Sequence, residues 1–158
     1  MPKIFSKMKK SNKWETRFLE MARLVSGWSK DPSTKVGAVI VRPDKTIASV
    51  GYNGIARGVK DTETRLGNRD QKLLYTVHAE QNAILSAKEP LNGYSLYVWN
   101  IHPCAQCAAS IIQTGIKNIY LPSNTDIIST KTITRWIESF KAAEIMFREA
   151  KVKLNYIK

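Results

Sequence analysis

The sequence has 158 residues, of which 43% are hydrophobic and 24% charged, and its formal net charge is +12. This length suits a single domain that buries roughly two thirds of the surface exposed by its unfolded chain. No apolar run approaches the roughly 18 residues of a membrane span, and the basic N-terminus lacks the apolar core of a secretory signal. We therefore expect a cytoplasmic protein, and the positive charge favours an anionic partner unless it is only a solvated surface.

The first half of the chain predicts a tail, a helix and a hairpin. Residues 1–11 are rich in lysine and are expected to form a basic flexible tail before one domain at 12–158. Asn12 and Glu15 have the spacing of a capping box. Apolar residues then recur every three or four positions as far as Trp28, which predicts an amphipathic helix ending near Asp31-Pro32. Two β-branched runs at 36–41 and 47–52 predict an antiparallel hairpin.

The second half alternates between helical and extended patterns. Residues 54–75 are polar and contain three glycines, which predicts a long loop of the kind that often carries function. The remaining segments are predicted in this order: helix 78–88, strand 96–99, helix 104–113, strand 116–121, loop 123–131, helix 133–147 and strand 152–156. This alternation favours a three-layer α/β/α sandwich around a mixed sheet of about five strands.

The two cysteines, Cys104 and Cys107, have the spacing C-x-x-C. Without a secretion signal a structural disulfide is disfavoured, so a thiol redox pair or half of a zinc site remain open. His78 is a candidate third ligand, because one helix, one turn and one strand separate it from Cys104. That is the length of a crossover, so both segments are expected to begin helices at the same edge of the sheet, where open α/β sheets place ligands.

Glu80 follows His78 by two positions and is a candidate base. Catalytic zinc keeps one coordination position open for water. Two thiolates and a neutral imidazole cancel the charge of the metal, so such a site acidifies its water weakly and needs a base beside it. Ala79 keeps the turn between His78 and Glu80 small. His102 is expected to pack at a strand end or to meet solvent, because a fourth ligand would close the site to water.

These residues carry a family resemblance. His78-Ala79-Glu80 with Pro103-Cys-Ala-Gln-Cys107 is the signature of the zinc deaminases. The chain resembles the deoxycytidylate deaminases, especially phage and viral ones, in four stretches: residues 31–39, the Gly-Tyr-Asn-Gly sequence at 51–54 with Gly58 after it, residues 78–84, and residues 103–107 followed by Gly115. The Gly-Tyr-Asn-Gly sequence is the more specific marker, because other deaminases share the zinc motif.

The resemblance implies hydrolysis of dCMP to dUMP and ammonia, which supplies the precursor for thymidylate, in the host cytoplasm if the source is viral. It implies zinc held by His78, Cys104 and Cys107, and a proton shuttle at Glu80. The implied substrate contacts are Lys35 at the phosphate, Val36 beside the base, Asn53 at the sugar, and also Ala79 and Tyr120.

The family is often hexameric, activated by dCTP and inhibited by dTTP, each with Mg²⁺. The resemblance places this effector site at Tyr52, Asn53 and Gly54, with the loop through Arg57 and Gly58. The chain departs from some phage members because both of its cysteines serve the catalytic zinc, which leaves none for a second, structural zinc. The sequence Trp-Asn-Ile-His before Pro103, together with Gln81, leaves the choice between dCMP and dCTP open.

Two alternatives compete with this interpretation. A nucleic-acid deaminase, such as a tRNA adenosine deaminase, shares the zinc motif and suits the positive charge, but it does not explain the Gly-Tyr-Asn-Gly sequence, and no basic groove with interleaved aromatic residues stands out. A zinc-stabilised binding module would make Glu80 only a helix-start carboxylate. That alternative is disfavoured because structural zinc normally has four protein ligands.

Overall fold

The computed structural model describes residues 8–123 and 129–158. Six helices form in these ranges: α1 Lys13–Ser26, α2 Glu63–Gly67, α3 Arg69–Tyr75, α4 Ala79–Ser86, α5 Ala105–Gln113 and α6 Thr130–Glu149. The same ranges contain eight strands: β1 Met8–Lys9, β2 Gly37–Val41, β3 Ile47–Tyr52, β4 Gly54–Ile55, β5 Thr76–Val77, β6 Ser95–Trp99, β7 Asn118–Pro122 and β8 Lys153–Ile157.

The central sheet has the strand order β1-β8-β7-β6-β2-β3. β2 runs antiparallel to both β3 and β6, and the other neighbours are parallel, so the sheet is mixed. The predicted hairpin is confirmed, with Gly37 opposite Tyr52. The five predicted strands are present, and the two-residue β1 extends the edge. β1 takes Met8 and Lys9 out of the predicted flexible tail, whose residues 1–7 lie outside the described ranges.

Helices cover both faces of the sheet, as the predicted sandwich requires. Side chains alternate along each strand, so Ile40 and Val98 face one core while Val39 and Tyr97 face the other. The larger core lies against α4, α5 and α6, and the smaller one lies against α1. The His78 and Cys104 segments therefore lie on the same side of the sheet.

Helix α1 begins as predicted and ends early. The Asn12 side chain accepts hydrogen bonds from the backbone N–H groups of Trp14 and Glu15, both at 3.0 Å, and Glu15 accepts from the Asn12 N–H at 3.0 Å. The helix ends at Ser26 rather than near Asp31. Trp28 continues the apolar spacing, but 53% of its surface is exposed, so it does not extend the buried face.

The prediction of a loop at 54–75 is wrong at residues 54–55, which form β4, and at 63–67 and 69–75, which form α2 and α3. Thr62 and Asn68 cap these helices. Their only buried side chain is that of Lys72, so neither helix has the apolar face from which a sequence pattern would predict it. Residues 124–128 of the predicted loop at 123–131 lie outside the described ranges, and no helix of the described part of the chain is long and apolar enough to cross a bilayer.

Gly51 lets α4 lie directly on β3. A Cβ atom at this position would overlap the carbonyl oxygen of Ala79 and the backbone nitrogen of Ala83. The Ser49 hydroxyl donates to the Ala83 carbonyl at 2.7 Å, which fixes the same contact. This close approach places the N-terminus of α4 above the sheet.

Candidate active site

Two helix starts bring the predicted metal ligands together. His78 is the N-cap of α4 and Cys104 is the N-cap of α5, and neither side chain caps its own helix. His78 Nδ1 lies 3.5 Å from Cys104 Sγ and 3.3 Å from Cys107 Sγ. All three candidate ligand atoms lie within 4.8 Å of one another, so the predicted triad is assembled.

The geometry of this triad fits tetrahedral zinc. Zn–S bonds of about 2.3 Å and Zn–N bonds of about 2.0–2.1 Å at a tetrahedral angle separate nitrogen from sulfur by roughly 3.5 Å. The two nitrogen–sulfur distances here are 3.5 and 3.3 Å. Three protein ligands leave the fourth position open, which is the arrangement of a catalytic rather than a structural zinc site.

The two thiols influence each other strongly. A hydrogen bond from Cys107 lowers the pKa of Cys104 to about 4, and His78 adds to this effect. The same interaction, with burial, raises the pKa of Cys107. The pKa of His78 is raised, first by its hydrogen bond with Cys104. These effects favour the thiolate form of Cys104, which is the form that binds metal.

Glu80 is a buried carboxylate beside the triad. Only 3% of its surface is exposed, and its Oε2 lies 3.7 Å from Cys107 Sγ. Burial raises its pKa, and the opposing charge of His78 only partly offsets this. A raised pKa makes the Glu80 carboxylate a stronger base and moves it towards the pH at which a proton shuttle works best.

His102 is buried and lines the same cavity, but it is not one of the candidate metal ligands. Its Nδ1 lies 2.7 Å from the carbonyl oxygen of Pro103, so Nδ1 carries the proton and donates it. Its ring packs near Phe140 with centroids 5.4 Å apart. Burial lowers the pKa of His102 to about 4. The prediction that His102 packs at a strand end is therefore confirmed, and the alternative that its side chain is exposed to solvent is wrong.

Helix α6 supports the triad from outside. The Trp136 ring meets the His78 ring edge to face, with centroids 6.0 Å apart. The Ser139 hydroxyl accepts a hydrogen bond from the Ala105 N–H at 2.9 Å. Because the Cys104 side chain does not cap α5, Ser139 supplies the missing cap from another helix.

A cavity of about 330 Å³ opens onto His78, Glu80 and Cys104. Its walls include three predicted substrate contacts: Val36, Asn53 and Ala79. Several lining residues were not predicted: Thr34, Arg69, Lys72, Ile101, Arg135 and Trp136. Trp136 lies within the helix predicted at 133–147, and nothing in the sequence shows that its side chain lines a cavity instead of packing in a core.

Two predicted substrate contacts lie elsewhere. Tyr120 is on the opposite face of the sheet, because its neighbours Ile119 and Leu121 face the larger core. Its ring stacks on Tyr97 with centroids 4.5 Å apart. The placement of Tyr120 in the pocket is therefore wrong. Lys35 is exposed and is not among the residues lining the cavity, although both of its neighbours are.

Asn53 supports one cavity wall through its side-chain amide. Its Oδ1 accepts from the Val36 N–H at 2.8 Å, and its Nδ2 donates to the Thr34 carbonyl at 2.8 Å. Asp31 organises the same loop by accepting from the N–H groups of Ser33 and Thr34 at 2.8 and 2.9 Å. The Asp-Pro-Ser-Thr sequence is an Asx-turn pattern, and it could have predicted this role of Asp31.

The structure does not bring the predicted effector residues together in one place. Tyr52 and Gly54 line a second cavity of about 150 Å³, together with Trp28, Lys30 and Asp61. Asn53 lines the first cavity instead. Arg57 and Gly58 are exposed and lie outside the linings of both cavities, with Gly58 at a φ of +83°. Asp31, Leu66 and Thr76 line both cavities, so the two share a wall.

Three candidate metal ligands with a buried carboxylate beside them have the arrangement of a catalytic zinc centre. Residues 12–122 match the family described as the cytidine and deoxycytidylate deaminase zinc-binding region. The chain belongs to this family, and the cluster of His78, Cys104 and Cys107 supports Zn²⁺ as its metal.

Individual relatives cover most of the chain. It is 45% identical to an uncharacterized deaminase of Aliivibrio fischeri over 146 residues, which is 92% of this chain and 95% of the relative. It is 37% identical to the deoxycytidylate deaminase of Mus musculus, over 91% of this chain and 83% of the relative. The dCMP deaminase of cyanophage S-TIM5, solved in complex with dCMP and dUMP, shares its fold with a TM-score of 0.67 at 24% identity, covering 92% and 98% of the two chains.

Proposed function

We propose that this protein hydrolyses dCMP to dUMP and ammonia. The observation that carries the proposal is the buried Glu80 carboxylate beside the His78-Cys104-Cys107 triad, on the wall of a cavity large enough for a small ligand. The chain is similar to the deoxycytidylate deaminase of Mus musculus and to the dCMP deaminase of the cyanophage, which supports dCMP as the substrate.

The residues of this chain divide the chemistry between them. Bound zinc would polarise water and lower its pKa. Glu80 takes one proton from a water in the cavity and delivers it to N3 of the cytosine while the oxygen of that water bonds to C4. Glu80 then carries the second proton from this oxygen to the C4 amine, so that the C4–N bond breaks, ammonia leaves and C4 becomes the carbonyl carbon of uracil. Val36 and Trp136 supply apolar surface for the base. The Asn53 amide holds Thr34 and Val36 in place, and any contact with the sugar would add to that role.

Arg69 and Arg135 are better placed than Lys35 to hold the 5′-phosphate. Both line the cavity, one from α3 and the other from α6. Lys72 also lines it, but Asp31 neutralises its charge at 2.9 Å. One guanidinium group can donate two parallel hydrogen bonds to the oxygens of a phosphate. Two arginines on different helices therefore suit the single phosphate of a nucleoside monophosphate.

A substrate panel tests this proposal. Ammonia release would be measured with dCMP, dCTP, deoxycytidine, single-stranded DNA and single-stranded RNA. We expect dCMP to be preferred, and replacement of both Arg69 and Arg135 by Met should raise KM for dCMP about tenfold while leaving the rate on deoxycytidine unchanged. Lys35→Met is the matched control and should behave as wild type. Preference for either nucleic acid would refute the proposal.

The second cavity supports a proposal of regulation by dCTP as activator and dTTP as inhibitor. Tyr52 and Gly54 line it, together with Lys30, whose charge is paired with that of Asp61 at 2.5 Å. Its volume of about 150 Å³ is below the roughly 300–1,000 Å³ of typical ligand sites, so it would hold only part of a triphosphate. We propose that Mg²⁺ accompanies the effector. Steady-state rates on dCMP with and without each triphosphate test this, and identical rates would overturn it.

We also propose a cytoplasmic homo-oligomer, a hexamer by family resemblance. Leu24, Leu74 and Leu85 are 59%, 78% and 70% exposed, and such apolar surface suits subunit contacts. Light scattering on the purified protein would give its mass directly, and a monomer at micromolar concentration would contradict the proposal.

A further inference from the structure

The segment 56–75, here called the flap, forms part of the first cavity without an apolar anchor. The flap connects β4 to β5, the two strands of the small second sheet. At its ends the Ala56 N–H donates a hydrogen bond to the Tyr75 carbonyl at 3.2 Å. Its helices α2 and α3 bury no apolar side chain. Leu74 is 78% exposed and Leu73 is 37% exposed. Hydrophobic burial, the usual force that attaches a helix to a domain, therefore contributes little here.

Lys72 is the only side chain that α2 and α3 bury, and it is paired with Asp31. Its Nζ lies 2.9 Å from Asp31 Oδ1, and the two side chains are 10% and 9% exposed. The same Asp31 oxygen accepts from the backbone N–H groups of Ser33 and Thr34. The ion pair thus joins the flap to the loop that precedes β2.

This ion pair also connects two walls of the cavity. Thr34 and Val36 belong to the loop on the Asp31 side, and Leu66 and Arg69 belong to the flap. Asn53 fixes the loop side through its two hydrogen bonds to Thr34 and Val36. Two ion pairs tie the flap to this loop. The Lys30–Asp61 pair is exposed, with side chains 72% and 45% accessible, and exposed ion pairs contribute little to stability. The Lys72–Asp31 pair is the buried one, so the width of the cavity depends mainly on it.

We propose that Lys72 is a positioning residue, whose ion pair with Asp31 holds the flap against the cavity and thereby sets the affinity for substrate. The proposal rests on the proposed function only for the identity of that substrate. Removing one partner of a buried ion pair leaves the other charge unpaired in a poorly solvated place. The weakly packed flap can relieve that cost by moving into water, whereas the zinc ligands on α4 and α5 remain in the larger core.

The test compares Lys72→Met with Lys60→Met, which makes the same change at an exposed position of the flap. Zinc content, kcat per bound zinc, KM for dCMP and amide hydrogen exchange would be measured for both. Lys72→Met should keep its zinc, raise KM about tenfold or more, leave kcat per zinc within about twofold, and speed exchange across residues 63–75. Exchange in α5 should stay unchanged, and Lys60→Met should match wild type in every measurement.

A second variant guards against simple misfolding. Asp31→Asn with Lys72→Met removes both charges, so no buried charge is left alone, and this double variant should fold while still showing the raised KM and the faster flap exchange. Lys72→Arg keeps the charge and should recover much of the substrate affinity. A loss of zinc or of kcat with KM unchanged would show a merely structural role and overturn the proposal.

Failure of this inference can be told apart from failure of the proposed function. The exchange experiment contains no substrate, so its result does not depend on dCMP being the substrate. Unchanged exchange in the flap of the double variant would overturn the inference even if dCMP is deaminated normally. A wild-type protein that is inactive on dCMP would instead overturn the proposed function.

Discussion

Replacing Gly51 by alanine tests how closely α4 must approach β3. An added Cβ would overlap two backbone atoms, the Ala79 carbonyl oxygen and the Ala83 nitrogen. Backbone cannot rotate away as a side chain can, so α4 must shift as a whole. Overpacking typically costs about 1–3 kcal/mol, and we expect the upper end of that range.

Thermal unfolding of the zinc-loaded protein measures this cost. For a domain of this size, about 3 kcal/mol lowers Tm by roughly 6–12 °C. Because α4 carries Glu80, turnover should fall along with stability. Gly67→Ala is the stability control, since nothing lies within 4 Å of a Cβ at that position. A Gly51→Ala protein with wild-type Tm and activity would refute the close approach of α4 to the sheet.

Three further variants or treatments test other parts of the site. His102 has a pKa of about 4 when folded and a reference value of 6.5, so the unfolded chain binds more protons between these values. The free energy of unfolding should therefore drop by up to about 3 kcal/mol as pH falls from 6.5 to 4, and this drop should be smaller in His102→Asn in matched denaturant titrations. The carboxylate of Asn53→Asp cannot donate a hydrogen bond to the Thr34 carbonyl. We expect the free energy of unfolding, measured in urea titrations, to fall by about 1–3 kcal/mol. An unchanged free energy of unfolding would contradict this. Chelation should abolish ammonia release and added Zn²⁺ should restore it, whereas activity that survives complete metal removal would exclude zinc.

The chemistry of the site was predictable from sequence because it depends on residue types at fixed spacings. The spacing of Cys104 and Cys107, with His78 and Glu80 before them, predicted the triad and the base that the structure brings together. The helix and sheet layers of the sandwich were predictable for a similar reason. Apolar side chains recur every three or four residues in the helices and at alternate residues in half-buried strands. Tyr120 was misplaced although the signal existed, because the apolar Ile119 and Leu121 on either side already indicated which face was buried.

The flap could not be predicted from apolar periodicity. Its helices are anchored by Lys72, and a buried lysine looks like any surface lysine in a sequence. Its partner Asp31 is 41 residues away, so only the folded chain shows that the two meet. Arg69 and Arg135 escaped prediction for the same reason, because they reach the cavity from helices that are far apart in sequence.

The central claim is that Glu80 moves the proton at a zinc site held by His78, Cys104 and Cys107. It is tested most directly by measuring bound zinc and ammonia release from dCMP in wild type and in Glu80→Gln. We predict one zinc per chain in both proteins, and a kcat at least about 100-fold lower in the variant. A zinc-loaded Glu80→Gln protein that deaminates dCMP at nearly the wild-type rate would contradict the account.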